Sequence, residues 1–177
     1  MRNLVQELIE SEPSNWLAIL QDLYKIKASK DKHLVSLKYD QIESPMGVPI
    51  VRQCRGMVVD LVKNKVVAWP YNKFWNLGQS QADVIDWSTA VYQEKADGSL
   101  MSLFWDRTTE TWQVASSGHP TAGGAFGSDS TKTFADAFWG LFVGSGMSFP
   151  SDYLKSLTFC FELCASENRI VVQHKEP

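Results

Sequence analysis

A lysine two residues before an Asp-Gly pair is the feature of this sequence best suited to covalent chemistry. It lies in the segment Glu94-Lys95-Ala96-Asp97-Gly98-Ser99. A neutral lysine amine can attack phosphorus, and burial or nearby positive charge favours the neutral form by lowering the pKa. Gly98 would let a nucleotide approach the backbone closely. The alternative is an ordinary hairpin turn with an exposed lysine, because Asp-Gly is a common hairpin signal.

Three further short motifs carry residue types that suit a nucleotide. Arg55-Gly56 and Lys73-Phe74-Trp75-Asn76 precede Lys95, and Phe161-Glu162 followed by Asn168-Arg169-Ile170-Val171 comes after it. Cations near a triphosphate stabilise the charge that develops during phosphoryl-type transfer. Each residue, taken singly, also fits a structural role. Glu162 lies in the apolar run LTFCFEL, so a buried Glu162 needs a hydrogen-bond partner or an ion pair, for which Arg169 is a candidate.

In this order the motifs resemble those of the covalent nucleotidyltransferases, the superfamily of DNA ligases, RNA ligases and capping enzymes. K-x-D-G is the nucleophile motif of that superfamily. An R-G, a K-F-F-N-like segment, K-x-D-G-S and then F-E followed by N-R-I-V is similar to the RNA ligases of the bacteriophage tRNA-repair type. The resemblance covers about residues 35 to 173. Leu100 replaces the arginine that DNA ligases and capping enzymes usually carry, and Ser99 follows the glycine as in RNA ligases.

The resemblance implies an ATP-dependent RNA ligase in which Lys95 takes AMP. The AMP then passes to an RNA 5′-phosphate, which is sealed to a 3′-hydroxyl; ATP is the substrate and Mg²⁺ accompanies it. The resemblance assigns nucleotide contacts to Arg55, Lys73, Glu94, Lys95 and Glu162. Supporting positions are Asp97, Gly98, Phe74, Asn168 and Arg169. Asp97 is expected to order the turn, Phe74 and Trp75 are expected to pack in the core, and the metal ligands are left open.

Two departures from the family pattern bear on activity. Related ligases often have a lysine where this chain has Ser117-Gly118-His119. The later E-G-x-V-like and K-x-K-like motifs are also absent, because no Glu-Gly occurs and K-x-K occurs only before Lys95. We therefore expect residues 1–177 to be the N-terminal portion of an adenylyltransferase domain. A capping-type guanylyltransferase, a DNA ligase relative and a non-catalytic nucleotide-binding fragment are the alternatives.

Composition limits the partners and the setting. The formal net charge is -3, so any RNA contact is expected to be local. No stretch is long and apolar enough for a membrane helix, and three cysteines without a signal peptide favour a reduced, cytoplasmic setting. The oligomeric state is left open.

Hydrophobic periodicity predicts an α+β fold with mainly antiparallel sheets flanked by helices, consistent with the nucleotidyltransferase (ATP-grasp-like) domain that the resemblance implies. Helices are expected near residues 4–9, 16–24 and 134–142. The lysines from Lys25 to Lys32 indicate an exposed turn, and residues 118 to 130 a mobile loop. Strands are expected around VSLKY, CRGMVVDLV, KVVAW, TAVYQEK, SLMSLFWD, TWQVASS, LTFCFEL and RIVVQ.

Overall fold

Two antiparallel sheets packed face to face organise the chain. The computed structural model describes residues 2–167 and 171, apart from the side chains of residues 129 and 130. The helices are α1 (Leu4–Ser11), α2 (Trp16–Asp22), α3 (Pro49–Gln53) and α4 (Phe134–Gly144), with a short 3₁₀ turn at Asp152–Leu154. The strands are β1 (Ile26–Asp31), β2 (Leu34–Tyr39), β3 (Arg55–Asp60), β4 (Lys65–Ala68), β5 (Ser99–Asp106), β6 (Thr111–Ser116), β7 (Ala125–Phe126), β8 (Asp129–Thr133) and β9 (Phe159–Leu163).

The first sheet has the order β1-β2-β3-β4 and is built from sequential neighbours. Its outer face packs against α1, α2 and α3 through a core that includes Val35, Leu37, Met57 and Val59. Strand residues of opposite parity, such as Val58, face the second sheet instead. Successive side chains of a strand point to opposite faces, so both faces of β2 and β3 are buried.

The second sheet has the order β6-β5-β9, and a separate pair joins β7 to β8. Phe104 and Ala115 face the first sheet, where they meet Leu34, Val58 and Ala68. Met101, Leu103 and Val114 face outward and pack under α4 through an aromatic-rich core. A capping box begins α4, because Thr133 and Asp136 satisfy each other's backbone N–H groups. The layers are therefore helices, sheet, sheet and helix.

The predicted α+β class with mainly antiparallel sheets is confirmed, together with the three predicted helices and six of the predicted strands. α3 was not predicted. RIVVQ lies mostly outside the described residues. None of the helices in the described ranges is long and apolar enough to cross a membrane.

The lysine-rich segment after α2 is a strand, so the predicted turn is wrong. β1 pairs along its full length with β2 and has no partner on its other side among the described strands. Ile26 is buried while Lys27 and Lys30 point to solvent. Charged side chains on an edge strand discourage pairing with other chains, which explains why a strand here looks polar.

The predicted strand TAVYQEK is also wrong. Residues 89–98 have no regular secondary structure, and Val91 and Tyr92 are 79% and 88% exposed. The hairpin cannot form because β5 already has a neighbour on each side, β6 and β9. The predicted mobile loop at 118–130 is wrong in part, since β7 and the start of β8 lie within it.

Candidate functional site

The Arg-Gly pair at the start of β3 lies where the two sheets come closest at one end. Gly56 has φ +83°, and a Cβ on it would lie 3.0 Å from the Cα of Ser117, just after β6. Glycine is favoured at this position by its left-handed backbone and by the close approach of Ser117. Arg55 is half-buried, and its guanidinium carbon lies 5.0 Å from the ring centroid of Phe74.

The segment Trp69–Trp75 links the two sheets at this same end. The Trp69 N–H donates to Oγ1 of Thr158 at 2.9 Å, and the Tyr71 N–H lies against the Cys160 thiol of β9. Further along, the Lys73 N–H donates to the Arg52 carbonyl at 2.7 Å. These contacts fix Lys73 beside the start of β3, so the structure brings Lys73 and Arg55 together around Phe74.

Cations surround the two aromatic rings of this segment. The ammonium of Lys73 lies 5.4 Å from the Trp75 ring centroid and donates to the Phe74 carbonyl at 2.6 Å. The Arg52 guanidinium lies over the same Trp75 ring at 4.4 Å. Phe74 is 55% exposed, so the expectation that it packs in the core is wrong. An exposed ring held by a cation is a surface on which a base can stack.

Glu162 lies on the face of β9 opposite the α4 core. Phe161 and Leu163 pack toward α4, whereas Cys160 and Glu162 alternate with them and face the other way. Glu162 is exposed although it lies in an apolar run, and its Oε1 accepts the Gly98 N–H at 3.1 Å. Asn168 and Arg169, including the proposed ion pair to Glu162, lie outside the described residues.

Gly98 is needed for a close approach between chain segments. A Cβ on Gly98 would lie 2.4 Å from the carbonyl oxygen of Leu163, a distance that real Cβ atoms do not adopt. Asp97 accepts the Val171 N–H at 2.7 Å, so it orders the chain after β9 rather than a hairpin turn. Burial, followed by the Glu162 and Asp97 carboxylates, raises the pKa of the Cys164 thiol, which places all three groups together.

Lys95 lies in the irregular segment that leads into β5. Lys95 and Glu94 are both exposed, and neither has a hydrogen bond or ion pair within the part of the chain that the structure describes. Gly98 is the third residue after Lys95, so the Cα atoms of the two residues lie at most about 11 Å apart. The lysine is therefore tethered near Glu162 and Asp97, while the described residues do not enclose it.

His119 shapes its own loop. Its Nδ1 accepts the Gly123 N–H at 3.1 Å and the Thr121 N–H at 3.4 Å, and Thr121 in turn donates from Oγ1 to Asp31 at 2.6 Å. Nδ1 of His119 is therefore used as an acceptor within the loop, while Thr121 anchors the loop to β1.

A second polar cluster, which sequence reasoning missed, joins three turns. Ligand-type atoms of His33, Asp60 and Asp106 lie within 4.8 Å of one another. His33 Nε2 lies 2.8 Å from Asp106, and Thr108 donates to Asp60 at 2.6 Å across the two sheets. Both aspartates also accept backbone N–H groups of their own turns. The sequence signal that could have indicated this cluster is an aspartate at the end of a strand, just before a polar turn.

This turn cluster lies far from Gly98. β5 runs from Ser99 to Asp106, which at about 3.3 Å per residue is roughly 23 Å. Burial acts to raise the pKa of Asp106, but hydrogen bonds from Thr109, Thr108 and His33 outweigh it and lower the pKa. Because its carboxylates are satisfied by hydroxyl and N–H donors, the cluster is a structural junction.

Comparison with known proteins identifies the family. A family model described as RNA ligase matches residues 53–177, which include Arg55, Lys73, Lys95 and Glu162. No curated protein matches the chain. The matched range runs from the last residue of α3 through β3 to β9 and covers more than half of the sequence. The chain thus belongs to the RNA ligase family.

Proposed function

We propose that this chain carries the adenylylation site of an ATP-dependent RNA ligase, with Lys95 as the nucleophile. The observation that carries the proposal is the convergence of separate motifs at one end of the two sheets. Arg55 and Lys73 meet around Phe74, and Glu162 binds the backbone only three residues after Lys95. Membership of the RNA ligase family supports this proposal.

The first step forms a bond between Lys95 Nζ and the α-phosphorus of ATP, while the bond to pyrophosphate breaks. The amine proton passes to solvent, which is accessible because Lys95 is exposed. Arg55 and Lys73 would hold the phosphates, since such transfers depend on positioning and charge stabilisation. Glu162 would accept a hydrogen bond from a ribose hydroxyl, with Glu94 nearby along the chain.

The later steps pass AMP to RNA and release it. An oxygen of the RNA 5′-phosphate attacks the AMP phosphorus, the N–P bond breaks, and Lys95 regains a proton. A 3′-hydroxyl then attacks the 5′-phosphorus, and AMP leaves. Mg²⁺ prefers oxygen ligands, so the carboxylates of Glu162 and Asp97 fit it as donors, and bound Mg²⁺ would neutralise phosphate charge.

We also propose that residues 1–177 adopt a nucleotidyltransferase-type architecture. Two packed antiparallel sheets with the motifs at one end support this architecture. The sequence has no Glu-Gly and no K-x-K after Lys95, the two elements that the resemblance places later.

Covalent labelling tests the nucleophile. With labelled ATP and Mg²⁺, label is expected on Lys95, stable to mild base and lost in acid as a phosphoramidate is. Lys95→Ala and Lys95→Arg should both abolish it, because arginine stays protonated at working pH. Lys63→Ala, an exposed lysine in the β3–β4 turn, is the matched control and should label normally. If both Lys95 variants are still labelled, Lys95 is not the nucleophile.

A non-catalytic nucleotide-binding role is the second candidate, favoured by the exposure of Lys95 without a described contact. It predicts saturable ATP binding without any covalent product. Labelling with GTP in place of ATP would indicate the guanylyltransferase alternative. Sealing of a 5′-phosphorylated DNA acceptor in place of RNA would indicate the DNA ligase alternative.

A further inference from the structure

Arg52 is a cation that the family motifs do not explain. It lies in α3, one residue before the range that the RNA ligase model matches. Its guanidinium sits 4.4 Å over the Trp75 ring, and its buried Nε has no hydrogen-bond partner among the described residues. Arg52 as a whole is only half-buried, so an external anion can reach the outer part of a guanidinium whose charge is not neutralised in the described structure.

The charge around Arg52 is unbalanced locally although the whole chain is acidic. Arg52 and Lys73 approach the same Trp75 ring, and Arg55 lies over the adjacent Phe74. None of these three cations forms an ion pair with a carboxylate in the described part of the chain. Three unpaired cations in a protein of net charge -3 mark a polyanion-binding surface.

Two aromatic side chains of the same chain segment as Lys73 are exposed. Tyr71, two residues before Lys73, is 61% exposed, and Phe74 is 55% exposed. Proteins that bind single strands combine cations for the phosphates with rings on which bases stack. A guanidinium fork also matches a phosphate in two-point geometry, and the Trp75 ring holds the fork in place.

We propose that Arg52, supported by Trp75 and flanked by Tyr71, contacts a backbone phosphate of single-stranded RNA. This inference rests on the proposed function, because it assigns Arg55 and Lys73 to ATP and leaves Arg52 for the acceptor strand. We name this surface, Arg52 with Tyr71 and Trp75, the Arg52 surface. It extends the candidate site from the Trp69–Trp75 segment to α3, where Arg52 lies over Trp75.

The test compares RNA affinity with lysyl-AMP formation in the same variants. The probe is a 5′-phosphorylated single-stranded oligoribonucleotide carrying a 3′ fluorophore, and its binding is followed by anisotropy over a range of salt concentrations. Arg52→Gln should weaken binding about tenfold, and the slope of log affinity against log salt should fall by about 0.7, as for one lost phosphate contact to a single strand. Labelling of Lys95 should stay within about twofold of the unaltered chain.

Two further variants serve as a control and as a second test of the Arg52 surface. Arg107→Gln, an exposed arginine in the β5–β6 turn at the far end of the sheets, is the matched control and should bind RNA normally. Tyr71→Ala removes only an exposed ring and should weaken RNA binding about fivefold, so the surface is still tested if Arg52→Gln fails to fold.

Three outcomes overturn the proposal. The first is an unchanged RNA affinity in Arg52→Gln or, if that variant does not fold, in Tyr71→Ala. The second is a loss of lysyl-AMP as large as the loss of RNA binding, which would assign Arg52 to the triphosphate. The third is the absence of RNA binding by the unaltered chain. A chain that binds RNA through Arg52 yet forms no lysyl-AMP would defeat the proposed function and leave this inference standing.

Discussion

At the scale of single residues, aromatic rings hold the cations of this site in place. Arg55 lies over Phe74, and Lys73 lies near Trp75 while donating to the neighbouring carbonyl. A ring limits where a long cationic side chain can go without neutralising its charge. The full positive charge therefore remains available to phosphates, which an ion pair to a carboxylate would not allow.

Removing either cation should affect chemistry far more than folding. Arg55→Ala and Lys73→Ala are each expected to lower the rate of lysyl-AMP formation on the order of a hundredfold, because each removes charge stabilisation of the transition state. Their melting temperatures should stay close to that of the unaltered chain, since both side chains are only half-buried. Single-turnover labelling and thermal unfolding of the same preparations provide the measurements. An Arg55→Ala protein that melts early but labels normally when folded would make Arg55 structural.

Residue types and their order in the sequence predicted Arg55, Lys73 and Glu162 as site residues, but they did not predict the environments of these side chains. The apolar run around Glu162 suggested burial, yet the parity of β9 turns Glu162 away from the α4 core. Arg52 was missed because no motif includes it; its importance depends on a contact with Trp75 made 23 residues later, which local patterns do not show.

At the scale of elements, sequence patterns predicted strands well and pairings poorly. Apolar runs and alternation identified β2, β3, β5, β6 and β9, because each of these strands buries at least one face in a core. The Asp-Gly signal at residues 97–98 predicted a hairpin that β9 excludes by occupying the edge of β5. Two segments 60 residues apart compete for the same strand edge. This is a tertiary effect, so the turn sequence alone cannot predict it.

The Arg-Gly pair of β3 provides a test of backbone geometry. Gly56→Ala should lower the free energy of unfolding by about 1–3 kcal/mol, because φ is +83° and Ser117 leaves little room for a Cβ. Gly140→Ala is the matched control: Gly140 is exposed within α4 and a Cβ there meets nothing within 4 Å. That change should stabilise the protein by up to about 1 kcal/mol, because alanine has the higher helix propensity.

Urea unfolding followed by circular dichroism measures both glycine variants. Opposite signs are expected from the same chemical substitution. If Gly56→Ala is as stable as the unaltered chain, β3 can relax away from Ser117 and the close approach is not a constraint on this end of the site.

At the scale of the whole molecule, the turn cluster and the candidate site lie at opposite ends of the two sheets. His33, Asp60 and Asp106 belong to three different turns, two in the first sheet and one in the second. Their hydrogen bonds with Thr108 and Thr109 fasten the sheets at that end. The sequence predicted antiparallel sheets, but this junction depends on how the two sheets stack and was not predicted.

The junction should make stability depend on pH in the acid range. The pKa of Asp106 is lower in the folded protein than its ordinary value near about 3.9. Its stabilising contribution is therefore complete above about pH 4 and is lost as the pH falls through the lowered folded pKa. Asp106→Asn should lower the free energy of unfolding most at pH 5 to 7, with the difference from the unaltered chain shrinking toward pH 2.

Denaturant unfolding across this pH range measures the effect, with Asp83→Asn as the control for loss of one carboxylate at an exposed position. A constant difference between Asp106→Asn and the unaltered chain at every pH would show that the carboxylate charge does not contribute, and that Asp106 acts only by its shape.

The order of strands in the second sheet affects when the candidate site forms during folding. The first sheet forms between neighbours in sequence, within residues 26–68, so it can fold as soon as that stretch is made. β9, in contrast, must close a long loop, and the contact of Glu162 with Gly98 spans 64 residues. We expect the first sheet to gain protection from hydrogen exchange early in refolding, and the nucleotide site to be assembled last, when β9 docks.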